Sequence, residues 1–343
     1  ANKTVALVGE SRSNTIVDGG GAGYVVGIRG ANNVSLSNFT IRNGQTGVYA
    51  GDWGMGIRSS RGNVMQNTIR NNSENGVFVD QDSYYINDND IEDNGIGLGI
   101  YAQGALNATI RNNDIENSGR YNLAINSTVY DQLDMDTTNL VDAKPVYYWI
   151  RHLGGTVPSN AGEVILVNCS DVIVQGLVLT KNFVNVEFID SVNCTLQNSN
   201  SSSADVGVLL VDSTLCKLDN NTLTDCRINL QAMGSTNNSI TGNNFLANGF
   251  CAVDFDGSAN NSFYHNTLNN VGANYTVFRA GNNVWDNGYP SGGNYWSDYS
   301  GVDLNSGPNQ NLNGSDGIGD TPYVIDANNS DHYPLVTRHS LLP

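Results

Sequence analysis

The chain has 343 residues, of which 33 are Asp or Glu and 16 are Lys or Arg, and its formal net charge is -17 at pH 7. An acidic surface repels phosphate backbones and anionic membranes, which argues against nucleic acid as a partner and against membrane binding. With 38 glycines, 14% charged residues and no apolar run of about 18 residues, the composition favours short strands joined by turns over long or transmembrane helices.

An apolar residue recurs every 21 to 24 residues within the uninterrupted parts of the chain. Its members are Ile41, Ile69, Ile91, Ile115, Leu179, Leu223, Phe245 and Leu268, with the polar Asn200 in the same register. Further apolar columns precede and follow this anchor, so each repeat contains three short strands without a helical period. This pattern predicts an all-β, right-handed parallel β-helix of roughly ten coils, because parallel crossovers are nearly always right-handed. The spacing does not match a leucine-rich repeat.

Asparagine recurs two residues before the anchor. The column consists of Asn67, Asn89, Asn113, Asn198, Asn221, Asn243 and Asn266. Equivalent residues of stacked coils lie about 4.8 Å apart, a distance at which side-chain amides hydrogen-bond to one another. We therefore predict a structural asparagine ladder, which explains how so polar a repeat can form a core.

The predicted β-helix covers residues 1–285 and is interrupted by residues 127–162. Within the interruption, the stretch PVYYWIRHLGGTVP predicts a hairpin with a Gly-Gly turn. This hairpin-like insertion either shields one side of the coils or contacts a partner through Tyr147, Tyr148 and Trp149, which are residue types favoured at interfaces. Residues 286–343 lose the period, and we expect them to form a loop-rich C-terminal cap over the last coil.

Two groups of acidic residues are candidates for chemistry. Asp303, Asp316, Asp320 and Asp326 lie among glycines and asparagines, so they form either a calcium site or a hydrogen-bonded acidic loop. Asp80, Asp190, Asp212 and Asp256 follow predicted strands, where Asp is common in turns. No Lys or Arg column accompanies them, so the sequence favours no catalytic site, and no cofactor other than calcium is suggested.

Asn-Xaa-Ser/Thr sequons are dense, which predicts glycosylation at some of them. The candidate sites are Asn2, Asn33, Asn107, Asn274 and Asn313. The five cysteines lack Cys-Xaa-Xaa-Cys spacing, which argues against zinc and favours small buried core residues.

Several stretches resemble the NosD-like parallel β-helix repeat proteins, which are common as secreted and surface-layer proteins of methanogenic archaea. They are LVGESRSNTIVDGGG, DAKPVYYWI, ILVNCSDVIVQGLVLT and the aromatic, Asp-rich stretch between residues 285 and 335. Family members usually carry an amphipathic helix and strand ahead of a segment like NKTVALVGE, with which this chain starts. The family's namesake is associated with copper delivery, but the four His and four Met of this chain are mostly far apart in sequence.

These patterns predict a non-catalytic, extracellular structural protein of a cell envelope, such as a surface layer, sheath or filament. It would assemble with itself through the ends and faces of the β-helix, head to tail among other arrangements. The alternative is a β-helix protein that binds or cleaves a polysaccharide of the cell surface. No membrane insertion is expected.

Overall fold

The computed structural model describes residues 4–29, 32–51, 61–80, 83–102, 107–269 and 274–338. The chain folds into two compact units. The first unit contains residues 1–148, 160–164 and 181–183, and the second contains residues 149–159, 165–180 and 184–343. Within the described ranges, one 3-10 turn at Tyr130–Gln132 is the sole helical element, and the remaining regular structure is β.

Strands of three parallel sheets form the first unit. Successive coils contribute one strand to each sheet, except that the last coil contributes none to sheet A3. Sheet A1 contains Val5–Val8, Asn32–Ser37, Arg61–Met65, Ser83–Asn87, Thr109–Arg111 and Asp134–Met135. Sheet A2 contains Ile16–Asp18, Thr40–Arg42, Thr68–Arg70, Asp90–Glu92, Asp114–Glu116 and Leu140–Val141. Sheet A3 contains Tyr24–Ile28, Thr46–Gly51, Asn75–Asp80, Ile96–Ala102 and Tyr121–Ser127.

The second unit repeats this arrangement. Sheet B1 contains Val184–Ile189, Val206–Val211, Ile228–Met233, Cys251–Asp256 and Tyr275–Val277. Sheet B2 contains Ile173–Gln175, Thr195–Gln197, Lys217–Asp219, Ser239–Thr241, Ala259–Tyr264 and Asn282–Val284. Sheet B3 contains Val178–Thr180, Asn200–Ser202, Thr222–Thr224, Asn244–Leu246, Thr267–Asn269 and Tyr295–Trp296. Further strands are Lys144–Ile150, Glu163–Val167 and the short antiparallel pairs Asn305–Ser306 with Leu312–Asn313 and Tyr323–Val324 with Ser330–Asp331.

Strict register builds the core of each unit. In sheet A2, Ile41, Ile69, Ile91 and Ile115 lie opposite one another on successive strands, and none is more than 1% exposed. Branched side chains pack well on a pleated surface, and stacking identical residues buries each against its neighbours. The prediction of an all-β parallel solenoid is confirmed.

The hairpin of the insertion lies elsewhere than predicted. Leu140 pairs antiparallel with Pro145, and the turn between them uses Asp142 and Ala143, both with positive φ. Gly154 and Gly155 also have positive φ, but the residues that flank them, Leu153 and Thr156, form parallel bridges to later residues of the second unit. The Gly-Gly hairpin prediction is wrong. Two glycines with positive φ can form a bend between strands of one coil as well as a hairpin turn.

Part of the predicted interruption is regular coil. Met135 lies opposite Ile110 in sheet A1, and Val141 lies opposite Ile115 in sheet A2. Both side chains are buried, at 5% and 2% exposure. The repeat therefore continues through residues 134–141, where longer connections had hidden it in the sequence.

The C-terminal segment covers the last strands of the second unit. Tyr323 stacks on Trp296 with ring centroids 4.2 Å apart, and the backbone of Leu335 donates to the carbonyl of Asn294. Trp296 is 1% exposed as a result. The open edge of sheet B3 is thus occupied by the chain itself.

Candidate functional site

The asparagine column of the first unit forms a side-chain ladder. Asn67 Nδ2 donates to Asn89 Oδ1 at 3.1 Å, Asn89 donates likewise to Asn113 at 2.9 Å, and Asn113 to Asn139 at 2.9 Å. The same amide groups donate to backbone carbonyls, as Asn89 Nδ2 does to Val64 O at 2.9 Å. All four side chains are at most 1% exposed, which is tolerable because their polar atoms are hydrogen-bonded.

A second ladder runs through the second unit. Asn221 donates to Asn243 at 3.0 Å, Asn243 to Asn266 at 3.1 Å, and Asn266 to Asn294 at 3.0 Å. Each side-chain oxygen in this series also accepts from the backbone N–H of the preceding ladder residue. The chain of amides ties each coil to the next.

A buried carboxylate closes this ladder. Asp331 Oδ2 accepts from the backbone N–H of Asn294 at 2.7 Å and from Trp296 Nε1 at 2.8 Å, and Oδ1 accepts from the N–H of Tyr333. Burial raises the pKa of Asp331 to about 6, although these donors oppose the shift. A residue 65 positions beyond Asn266 therefore caps the column that Asn266 belongs to.

The prediction that Asn198 belongs to the ladder is wrong. The buried position is occupied by Ser199, whose N–H donates to Asn221 Oδ1 at 3.0 Å, whereas Asn198 is exposed with φ 51°. Ser201, between Leu179 and Leu223, is the true anchor of this coil. The sequence allowed either Asn200 or Ser201 as the anchor. The strand pairing selects Ser201, which lies 22 residues from both Leu179 and Leu223.

Sequence reasoning missed three further ladders. Asn72 bonds to Asn94 at 2.9 Å in the first unit, and Asn238 bonds to Asn261 and Asn261 to Asn283, each at 2.9 Å, in the second. A serine column lies where the chain leaves the strands of sheet B1, and its hydroxyl oxygens accept backbone N–H groups. Its members are Ser191, Ser213, Ser235 and Ser258. The detectable signal was the same 22- or 23-residue spacing at other positions of the repeat.

The predicted calcium ligands accept hydrogen bonds separately. Asp303 accepts from Ser315 Oγ and the N–H of Gly317, and Asp320 accepts from the N–H and Nδ2 of Asn305. The remaining two behave alike, since Asp316 accepts from Gly307 and Gln310, and Asp326 from Asn328 and Asn329. The structure does not gather these four carboxylates into one metal-holding group, and their geometry is that of a hydrogen-bonded acidic loop.

The predicted partner-contact residues have different environments. Tyr148 is 6% exposed and donates its hydroxyl to Tyr130 O at 2.6 Å, so the prediction is wrong for this residue. In the same unit, Tyr147 is half-buried and bonds to Asn160 Oδ1 at 3.1 Å. Trp149, in the second unit, is half-buried with its ring 4.1 Å from that of His152.

The backbone bends between strands explain why Asn-Xaa-Ser/Thr sequons are so frequent in this chain. At residues 237–239, Asn237 takes a left-handed φ of 57°, Asn238 enters a ladder, and Ser239 begins a strand. A structural corner therefore produces Asn-Xaa-Ser without reference to glycosylation. Of the candidate sites, Asn33, Asn107, Asn274 and Asn313 are exposed, and Asn2 lies outside the described residues.

The aligned acids Asp80, Asp190, Asp212 and Asp256 are not equivalent. Asp190 and Asp212 have φ of 49° and 46° and lie at turns on adjacent coils. Asp80 is 7% exposed and accepts the hydroxyl of Tyr49 at 2.9 Å. Asp256 forms an ion pair with Arg279 at 2.7 Å, so a basic side chain does accompany this acid, contrary to the sequence prediction.

The first strands of the first unit carry exposed apolar side chains. Leu7 lies opposite Leu36, and the column continues through Val64, Ile86 and Ile110, which are all at most 1% exposed. Leu7 itself is 47% exposed. Other exposed apolar side chains of these first strands are Val5, Val8, Ile16 and Tyr24. Strands Val5–Val8, Ile16–Asp18 and Tyr24–Ile28 are the edge strands of sheets A1, A2 and A3.

An exposed aromatic cluster lies in the last coils of the second unit. Phe250, Tyr275 and Phe278 have ring centroids 4.9 to 5.5 Å apart, and Tyr275 and Phe278 are 47% and 41% exposed. Arg227 lies 5.8 Å from the ring centre of Phe250, and Arg279 lies 5.2 Å from that of Phe278. We call these five residues the aromatic–arginine patch.

Carboxylates hold both guanidinium groups of this patch. Arg227 Nε and Nη2 each donate to Asp205 at 2.9 Å. Arg279 donates through Nε and Nη2 to Asp254, and its Nη1 lies 2.7 Å from Asp256. Asp254 is 1% exposed and also accepts from Gln231 Nε2 at 3.0 Å. Both arginines are therefore fixed in position and electrostatically compensated.

Like charges stack on the outer face of sheet A2. Asp90 lies opposite Asp114, and Glu92 lies opposite Glu116, because Asp-Ile-Glu occurs in two successive coils. Burial, and then the charges of Asp90 and Asp142, raise the pKa of Asp114. Pairing in register lets stacked asparagines hydrogen-bond to one another, but it places these carboxylates side by side, where they repel. The repeated tripeptide Asp-Ile-Glu was the signal that sequence reasoning overlooked.

The five cysteines are buried free thiols. Burial raises the pKa of Cys226 to about 11 and that of Cys251 to about 12. In the described part of the chain, no group of three or more His, Cys, Asp or Glu side chains is arranged to hold a metal ion. No helix in the described ranges has the length and apolar character needed to cross a bilayer.

Comparison with solved structures returns matches of low sequence identity and low TM-score. The chain is 18% identical to the mannuronan C-5 epimerase AlgE6 A-module of Azotobacter vinelandii, with 82% of each chain covered and a TM-score of 0.35. It is 13% identical to an alginate lyase from Paenibacillus sp. str. FPU-7, covering 68% of this chain and 77% of the lyase, with a TM-score of 0.30. No curated protein sequence matches the chain.

Two family models match successive parts of the chain. The one described as right handed beta helix region matches residues 11–142, and the one described as periplasmic copper-binding protein (NosD) matches residues 150–301. The first description confirms the predicted right hand of the solenoid, and both agree with the resemblance found in the motifs. The chain therefore contains a right-handed β-helix region followed by a region that matches the NosD family model.

Proposed function

We propose that this chain is a non-catalytic, extracellular structural protein of a cell envelope, which assembles with other copies through one face of its second unit. The observation that carries the proposal is a line of exposed apolar side chains, Leu153, Val192 and Leu215, which are 75%, 39% and 54% exposed. Leu153 and Val192 both pair with Ser170, and Leu215 follows Thr214, which pairs with Val192. The family description as periplasmic supports a location outside the cytoplasm.

The energetic argument concerns these side chains. Burying a half-exposed Leu or Val contributes on the order of 1 kcal/mol, and the line offers three exposed apolar side chains. Contact between two identical faces would close a dimer, whereas contact with a different surface would produce an open polymer.

Assembly is tested by light scattering after size exclusion and by electron microscopy across a range of protein concentrations. Wild type should form dimers or ordered polymers. Leu153→Lys places a charge in the proposed contact and should shift the protein to monomer. Leu304→Lys is the matched control, because Leu304 is 66% exposed elsewhere in the second unit. A wild type that stays monomeric at high concentration, or a Leu153→Lys variant that assembles normally, would reject the proposal.

A further inference from the structure

The aromatic–arginine patch is unused by the proposed assembly. Its five side chains come from three successive coils of the second unit and form one exposed apolar surface with polar edges. Exposed aromatic clusters are uncommon on folded proteins, where they generally mark binding sites. We infer that this patch binds an uncharged polysaccharide, whose pyranose C–H faces would pack on the aromatic rings and whose hydroxyl groups would stay solvated at the polar edges of the patch.

Charge decides between a neutral and an acidic ligand. The two arginines contribute two positive charges, and Asp205, Asp254 and Asp256 contribute three negative charges, so the group is net negative. The guanidinium nitrogens that would bind a ligand carboxylate already donate to these aspartates at 2.5 to 2.9 Å. An acidic polysaccharide would have to break those pairs and approach a protein of net charge -17.

Ring exposure identifies Tyr275 as the main contact. Arginine side chains lie over Phe250 and Phe278, which restricts access to those two rings. Tyr275 meets both rings at steep angles, 66° and 56°, and is the most exposed of the three. A ring held in this way presents a rigid apolar surface, and its hydroxyl adds a hydrogen-bonding group. Phe250 and Phe278 would position Tyr275.

Binding is expected without cleavage. Glycoside hydrolysis needs one carboxylic acid that protonates the leaving group and a second carboxylate nearby. In the patch, Asp254 is held by Arg279 and Gln231, and Asp256 is paired with Arg279. Both carboxylates are held by one guanidinium group, whereas hydrolysis needs two carboxyl groups that flank the glycosidic bond.

The test is affinity electrophoresis of the purified chain in gels containing hydroxyethylcellulose, glucomannan or carboxymethylcellulose. The first and third share one backbone and differ in charge. Retardation by a neutral polymer, with little from the carboxylated one, is the expected result. Tyr275→Ala should weaken binding roughly five- to tenfold, and Tyr275→Phe should retain most of it. Tyr85→Ala, which removes a 37% exposed ring of the first unit, is the control.

A second variant keeps the inference testable if Tyr275→Ala folds poorly. Asp256→Asn removes a half-exposed partner of Arg279, so it should increase retardation by carboxymethylcellulose and leave neutral binding unchanged. Tighter binding of the carboxylated polymer by wild type, or no retardation in any gel, would overturn the inference. Neither result bears on assembly, which the Leu153→Lys variant tests separately.

Discussion

The ladder of the second unit makes a quantitative prediction at Asn243. Its side-chain oxygen accepts from Asn221 N and Nδ2 at 2.9 and 3.0 Å, and its Nδ2 donates to Leu218 O at 2.8 Å and Asn266 Oδ1 at 3.1 Å. Asn243→Ala removes these four bonds and a fifth, from Nδ2 to Thr241 O at 3.0 Å, in a site that is 1% exposed. It would leave the amide of Asn221 and the carbonyl of Leu218 buried without this partner, at a cost of about 1–3 kcal/mol each.

We therefore expect Asn243→Ala to lower the free energy of unfolding by about 4 kcal/mol, allowing for partial relaxation. Urea unfolding can be followed by the fluorescence of Trp285 and Trp296, which lie in the same unit. Asn198→Gly is the control, because Asn198 is exposed with a positive φ that glycine adopts freely, and the change should stay within about 0.5 kcal/mol. Equal stability of the two variants would refute the ladder as a source of stability.

Other predictions concern ionisation, metal and thiols. The pKa of Asp331 is raised from 3.8 to about 6 in the folded protein, so its contribution to stability is fully present below pH 3.8 and is lost as the pH rises through 6. The urea midpoint of unfolding should therefore fall over that interval. Asp331→Asn should reduce this fall. Asp114→Asn should raise the melting temperature at pH 7, because burial and the charge of Asp90 disfavour ionisation of the Asp114 carboxyl in the folded protein, and a lower value would contradict the repulsion. Adding EDTA should leave the melting temperature unchanged, since Asp303 and its neighbours already accept protein hydrogen bonds, and a marked drop would instead indicate a bound calcium ion. Cys226 and Cys251 should react with a thiol reagent only after denaturation, because both are buried with raised pKa values, and rapid labelling of the native protein would exclude this packing.

The sequence alone determined the coil and most of the ladder. Residues such as Ile69 and Ile91, or Asn67 and Asn89, recur at a spacing that has meaning only if equivalent positions stack. Stacking is a local, repeated interaction between neighbouring coils, so periodicity in one dimension is enough to predict it.

The tertiary structure decided features that break the period. Pairing of Ser201 with Leu179 and Leu223 chose Ser199 over Asn198 for the buried site, since one residue of slip reverses which side chains face the core. Closure of the ladder by Asp331 depends on a loop that returns from outside the repeat.

The two surfaces proposed for function also arose in three dimensions. Phe250 and Tyr275 meet because they occupy neighbouring coils, and Arg279 reaches Asp254 across the same step. These residues share no single column of identical side chains, so alignment of the repeats did not reveal them. Leu153 and Val192 lie on one line because both pair with Ser170, and the register of the coils decides that pairing.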